Sequence, residues 1–382
     1  MSIYLDYNAS TPIDSRVLDV MIDVYRNHYG NADSRTHSFG DDTREIVEAA
    51  RKQVASLLSI TPGEVFFTSG STESSNIAIQ GLERYAKETG KNQFITSAIE
   101  HKSVLETVKA MGNKGFVTDF IKPNHSGVVL VDSVLAKISN QTALVSVMHV
   151  NNETGMIQPI AQIGEELDKQ NVLFHVDATQ SCGKLVAELK NIKYSMLSFS
   201  AHKMRGPQGV GVLVLRKKGY KLPPITNILY GGQQEHGIRP GTIPVALVAG
   251  LGKACEIAEI EYQDNEKKCK EIRKMILNLL QDSGLSWSIN GDLDNCISST
   301  LNICLHGVSS EALMLASKMY CGISNGSACT SKNYGPSYVL TAMGITPENI
   351  SNSVRVSWAA DIDVNSIKEA FSSLLLSAKA LC

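Results

Sequence analysis

The sequence predicts an α/β protein of two unequal parts: a large domain on a mainly parallel sheet and a smaller α+β domain. Three observations predict it. Between residues 64 and 217, short apolar runs alternate with amphipathic stretches. A long helical pattern follows, from about Val245 to Gln281, and then a shorter mixed set of strand-like and helix-like runs. Runs that read apolar on both faces suit a sheet covered by helices on either side. Their alternation with helical patterns is the rhythm of α/β folds.

In order, the apolar runs are EVFFTSG (64–70), QFITSAIEH (93–101), ALVSVMHVNNE (143–153), VLFHVDA (172–178), YSMLSFSAHK (194–203) and GVGVLVLRK (209–217). Between them, stretches such as SSNIAIQGLERYAKE and IAQIGEELDKQ carry helical periodicity. In the long helix Ile272, Met275, Ile276 and Leu279 keep that spacing, and Gly284 is its expected stop. STLNICL and SVRVSWA read as strands, SEALMLASKM as a helix, and a last helix follows. At roughly 100–200 residues per domain, two domains are expected for this length. The division expected is 15–260 for the large domain, with 1–14 and 261–382 forming the small one.

Composition narrows the function classes. Charged residues make up 19% and hydrophobic residues 43%, which excludes wholesale disorder. A formal net charge of −2 argues against a protein that coats nucleic acid. Eight cysteines without a C-x-x-C pair suit neither a disulfide scaffold nor the usual structural zinc site. The N-terminus MSIYLDYNASTP lacks a basic, then apolar, leader, and no apolar run approaches the ~20 residues that span a bilayer. The expectation is a soluble cytoplasmic protein in a reducing compartment, with no membrane contact and no direct nucleic-acid binding.

Polar residues gather where the predicted strands end, which is where open α/β sheets bind ligands. Six clusters do so, each ambiguous alone. TSGSTES (68–74) either caps a helix or cradles a phosphate at its N-terminus. His101 follows a strand, where a satisfied structural histidine is the commoner reading. HVNNET (149–154) places two amides after another, as turn formers often do. Asp177, in HVDATQ, closes an apolar strand and needs a cationic partner or a cap. A metal reading of His175-x-Asp177 finds no third ligand of convincing spacing. Lys203, in SFSAHKMRGPQGVG, precedes a Gly-rich turn, and is either solvated or a desolvated, nucleophilic amine. Cys329, in SNGSACTS, stands among small residues rather than in an apolar run. Together, a phosphate cup, a carboxylate, two amides, a His and a Lys describe a pyridoxal phosphate pocket, since that cofactor needs a Lys Schiff base and an acidic partner for its ring nitrogen.

At these residues the chain resembles the cysteine desulfurases of the IscS/NifS-like group, fold-type I pyridoxal phosphate enzymes. The resemblance runs nearly end to end, through YLDYNASTP, GNADSRTHSFG, TSGSTESSN, EHKSVLE, HVNNETG, HVDATQS, SFSAHKMRGPQGVG, GGQQEHGIRPGT, SNGSACTS, GPSYVL and VRVSW. It implies conversion of L-cysteine to L-alanine, with the sulfur left as a persulfide on Cys329. Lys203 would hold pyridoxal 5'-phosphate and act as base, while His101 would stack over the ring and move protons. Asp177 would pair with the ring nitrogen, and Gln180 would meet the ring oxygen. Ser71, Thr72, Ser200 and His202 would bind the phosphate. Thr242 would reach the phosphate of a partner subunit, which implies a homodimer. Asn152 would lie at the cofactor and, with Arg355, hold the substrate carboxylate. The chain departs from common family forms at Gly-Ser-Thr (70–72), GPQG (206–209) and Ser-Asn-Gly (324–326), none a proposed reacting group. The departures leave the protein sulfur acceptor open among iron-sulfur assembly, tRNA thiolation and DNA phosphorothioation. Alternatives are a selenocysteine lyase-like enzyme, in which Cys329 is not essential with cysteine, and a non-catalytic sulfur-relay scaffold, against which intact Lys203, Asp177 and Cys329 speak.

Overall fold

The computed structural model describes residues 2–326 and 335–382, and Cys329 lies outside the described residues. The chain opens with the short strand β1 (Ile3–Tyr4), then helices Ser15–Asn27 and Ser38–Leu58. The first helix begins where the Asp14 carboxylate accepts the Arg16 N–H, and it buries Val17, Met21 and Val24 along one stripe.

Seven strands form the large sheet: β2 (Val65–Thr68), β3 (Gln93–Ser97), β4 (Val117–Ile121), β5 (Thr142–Met148), β6 (Leu173–Asp177), β7 (Met196–Ser200) and β8 (Gly211–Leu215). Their order is β2-β8-β7-β6-β5-β3-β4. Strands β3 to β7 pair in parallel, whereas β8 runs antiparallel to both β2 and β7. All residues of β2, β3, β5, β7 and β8 are buried, as two covered faces require. The edge strand β4 is absent from the expected set. Its Val117 is exposed and its middle only half-buried, so it lacks the two-faced apolar signal.

The second layer is built from β9 (Trp287–Ile289), β10 (Thr300–Leu305), β11 (Cys321–Gly322) and β12 (Ser353–Ser357). The antiparallel order is β12-β10-β9, while β11 pairs in parallel with β1. The N-terminal strand is thereby drawn to the smaller sheet. The long helix Val245–Asp282 matches its expected bounds within a residue. Its first half packs in a core with Val47, Val54 and Phe199, and its second half packs with Leu5, Leu301, Val356 and Phe371. Val339, Leu340 and Met343, just beyond the Cys329 segment, belong to the first of these cores. Among the described residues, no helix is long and apolar enough to cross a membrane.

Candidate active site

The carboxyl ends of three strands meet the amino end of a fourth. Gly211, the first residue of β8, pairs with Thr68 at the end of β2 and with Ser200 at the end of β7. Asp177 ends the next strand, β6. This row of ends is the place for a ligand in such a sheet.

Beyond β2, Gly70 adopts φ +155°, a region L side chains rarely enter, and helix Ser71–Gln80 starts with no side-chain cap. A β-carbon on Gly70 would stand 3.6 Å from Ser200 Oγ, so the missing side chain keeps the helix start open toward β7. Uncapped N–H groups and the helix dipole suit a phosphate. Glu73, in the first turn, accepts the Ser69 N–H and pairs with Arg239 at 3.2 Å. His202 follows β7, its Nδ1 3.2 Å from Ser10 Oγ. Burial, with the Lys203 charge beside it, pushes this imidazole down to about 4, so it stands neutral.

Asp177 is buried and accepts both the N–H and the hydroxyl of Thr179 on Oδ1, which leaves Oδ2 for a partner outside that turn. His175 below it cannot balance the charge. Its two ring nitrogens meet Ser146 Oγ at 2.8 Å and Ser198 Oγ at 3.1 Å, and burial pushes it down to about 4. Both nitrogens being engaged, His175 offers no ligand to a metal. Glu100 is the other buried carboxyl nearby. Burial, reinforced by the Asp177 charge, pushes it up to about 8. Near neutrality Glu100 is therefore mostly protonated. A buried carboxylate calls for a cation, and a protonated pyridine nitrogen is one. The helix terminus and this carboxylate together fit pyridoxal phosphate.

Lys203 sits on the helical turn Ala201–Lys203 and donates from Nζ to the Asn8 and Ala9 carbonyls, each at 2.7 Å. Gln180 Nε2 donates to the same Asn8 carbonyl at 2.9 Å, and its Oε1 accepts from Lys184 Nζ at 3.4 Å. Asn8 Nδ2 donates in turn to the Asn152 carbonyl at 3.2 Å. Arg355 is fully buried, with Nη1 donating to that same carbonyl at 2.8 Å and Nη2 paired with Asp6 at 2.6 Å. Asn152 Oδ1 and Arg355 Nε are buried without a hydrogen-bond partner, so both retain capacity for a ligand. His101 begins helix Lys102–Asn113, and its Nδ1 accepts the Ser103 N–H at 3.2 Å. Thr242 is exposed. Cys329 lies outside the described residues.

The structure thus gathers Lys203, Gln180, Asn152 and Arg355 around Asn8, a residue that sequence reasoning did not single out. Asn8 acts largely through its main-chain oxygen, which no side-chain pattern reveals. Asp6 and Glu100 were likewise missed, although both stand inside quoted motifs, YLDYNASTP and EHKSVLE.

Comparison with known proteins agrees with this geometry. Residues 3–369 match the family described as Aminotransferase class-V. The chain is 40% identical over 362 residues to the cysteine desulfurase IscS of Serratia proteamaculans, covering 94% of this chain and 88% of that protein. A solved NifS-like protein superposes with TM-score 0.90 at 33% identity, covering 98% of this chain and 99% of that one. A structure of SspA in complex with cysteine gives TM-score 0.81 at 33% identity, covering 93% and 98%.

Proposed function

The chain belongs to the class-V aminotransferase family, and from that premise we propose how its residues perform the work of a pyridoxal phosphate-dependent cysteine desulfurase. The substrate is L-cysteine and the carbon product L-alanine. When bound, the cofactor is an electron sink for the carbanion at the substrate Cα.

This chain's own groups do the rest. Lys203 Nζ holds the cofactor and moves the Cα proton. Asp177 Oδ2 would keep the ring nitrogen protonated, and Gln180 would meet the ring oxygen. The N–H groups and hydroxyls of Ser71 and Thr72 hold the phosphate, with Ser200 and His202 beside them. His101, at the start of helix Lys102–Asn113, would move protons at the cofactor. Arg355, whose buried Nε has no hydrogen-bond partner, and the Asn152 side-chain N–H would receive the substrate carboxylate; Arg suits it better than Lys. The Cys329 thiolate attacks the substrate sulfur. A sulfur–sulfur bond forms, the carbon–sulfur bond breaks, and its electron pair stays on carbon, where a proton completes the methyl group. Sulfur leaves as a sulfane, so no external oxidant is consumed.

We place the cofactor part at 15–260 and the sulfur-accepting part at 1–14 and 261–382. The change of core along helix Val245–Asp282, between Ala258 and Cys269, supports this division. A homodimer and a protein persulfide acceptor complete the proposal.

The observation that carries the reading is the row of Gly70, Ser200, Lys203 and Asp177 at adjoining strand ends. Its test separates activation from sulfur transfer. Lys203→Ala should be colourless. Cys329→Ser should stay yellow and change absorbance on adding L-cysteine, yet release almost no alanine and carry no persulfide. Near-normal alanine release by Cys329→Ser, or a wild-type persulfide mapped by mass spectrometry mainly elsewhere, sinks the assignment. Dispensability of Cys329 with cysteine would favour the selenocysteine lyase-like alternative.

A further inference from the structure

Two consecutive residues in the segment before Thr242 hold a backbone conformation that non-glycine side chains rarely adopt. Glu235 has φ +48° and His236 φ +55°. Such a conformation persists where the surroundings fix it, and Glu235 is the point of attachment. Its side chain is buried, and both carboxylate oxygens are engaged. Arg51, on helix Ser38–Leu58, meets it as a fork: Nη1 donates to Oε2 at 2.9 Å and Nη2 to Oε1 at 2.7 Å. Phe67 N–H donates to the same Oε2 at 2.7 Å, while Arg51 Nη1 also donates to the Val65 carbonyl at 2.6 Å. Val65 and Phe67 stand on β2, an edge strand. The ion pair takes the place of a neighbouring strand along that edge, where main-chain groups would otherwise lack a protein partner.

Gln234, the residue before, ties the other end. Its Oε1 accepts the Gly241 N–H at 3.0 Å, one residue short of Thr242, and its Nε2 donates to Asp33 at 2.9 Å. Between these ties the Gln233 carbonyl accepts the Gly237 N–H at 3.2 Å, and the Glu235 carbonyl accepts the Ile238 N–H at 3.1 Å. Arg239 pairs with Glu73 at 3.2 Å. The loop 234–241 is thereby closed on itself and pinned to the sheet edge.

We propose that Glu235 and Gln234 are positioning residues for Thr242: Glu235 pins the loop to β2 through Arg51 and Phe67, and Gln234 closes it at Gly241, so that the Thr242 hydroxyl is already in place for a phosphate bound in the partner subunit. The inference rests on the reading of Thr242 above. A hydroxyl that must be ordered on binding contributes less affinity than one held beforehand. Glu235 also touches β2, which leads into the phosphate cup Gly70–Thr72 of its own chain. The test therefore separates an effect on that cup from an effect on the partner's.

Cofactor retention on dialysis is measured for Glu235→Gln, Gln234→Ala and Thr242→Ala, each as a homodimer and in a mixed dimer with a Lys203→Ala chain, co-expressed under two tags and purified on both. In the mixed dimer only the chain that keeps Lys203 is yellow, and its pocket receives Thr242 from the chain whose loop is intact. Each homodimer should hold the cofactor about tenfold less tightly than the wild type. Each mixed dimer should retain it as a mixed dimer of wild type with Lys203→Ala does. Gln234→Ala leaves the buried ion pair intact, so it decides the matter should Glu235→Gln not fold. Undiminished retention in either folded homodimer of Glu235→Gln or Gln234→Ala, or a loss that persists in their mixed dimers, overturns the proposal. If the Thr242→Ala homodimer retains the cofactor fully, the Thr242 reading falls with it. If Thr242→Ala is weakened and rescued while Glu235→Gln and Gln234→Ala are not, this proposal falls alone.

Discussion

Glu100 and His175 titrate in opposite directions, and Glu100 has a measurable signature of its own. The Glu100 carboxyl is pushed up from 4.5 to about 8, so the native state binds the extra proton between those values. Stability from this group is full below pH 4.5 and is lost as pH rises through about 8. His175 is pushed down from 6.5 to about 4, so here the unfolded state binds more protons, and stability rises with pH across that window. The two slopes oppose each other from 4.5 to 6.5, and above 6.5 only Glu100 remains. The holoenzyme should therefore lose up to about 1.4 kcal/mol per pH unit between pH 6.5 and 8 from this one group. Glu100→Gln keeps an acceptor for Ser97 Oγ and the Met148 N–H but cannot ionise, so its melting temperature should be flatter over that range. An unchanged slope in the variant would refute the reading of Glu100. Lys203 and Asp177 were legible because reactive residue types stood at strand ends, where the structure places them. Asn8 was not, because a main-chain carbonyl leaves no mark in sequence.

At the level of elements, the tightest seam is between helices Ser38–Leu58 and Val245–Asp282. A β-carbon on Gly252 would lie 2.6 Å from Ala50 Cα and 2.7 Å from Ala50 Cβ. In an open helix Gly→Ala gains about 1 kcal/mol of helix propensity. Here the obstacle is backbone that cannot swing aside, and overpacking costs about 1–3 kcal/mol. The packing cost wins, so Gly252→Ala should lower the melting temperature by a few degrees; a rise would show that the seam yields. The strands that sequence reading found are those with both faces buried. The ones it missed carry weak signals: β4 is a half-exposed edge, β9 is three residues long with no buried position, and β1 and β11 are two residues each. The helix Ser15–Asn27 was readable from Asp14 and from the stripe Val17, Met21, Val24, but was not drawn. The antiparallel sense of β8 follows from its short connection, 201–210, since a parallel crossover takes about a dozen residues or more.

For the whole molecule, one exposed aromatic face fits the homodimer proposed above. Tyr25, Tyr29 and Phe39 are 64%, 72% and 51% exposed, and the Tyr29 and Phe39 rings stack at 5.6 Å. Gln234 joins this face to the Thr242 segment: its Nε2 donates to Asp33 at 2.9 Å, and its Oε1 accepts the Gly241 N–H at 3.0 Å. Tyr230, at the start of that segment, is 90% exposed. The stacked Tyr29 and Phe39 rings form an exposed apolar patch of the kind that marks an interaction site. The exposed Thr242 hydroxyl at its border suits the proposed reach into a partner's phosphate site. Two outcomes follow from a shared site. The double variant Tyr29→Glu, Phe39→Glu should sediment near 41.4 kDa rather than at twice that mass, and should lose cofactor on dilution. Thr242→Ala should stay dimeric but hold the cofactor about tenfold or more less tightly, because a hydrogen bond to a charged acceptor contributes about 1.5–3 kcal/mol. Cofactor retention on dialysis and sedimentation velocity check the pair. A monomeric double variant that keeps full cofactor occupancy at high dilution would show that each chain completes its own phosphate site, and Thr242 would then have no part in it.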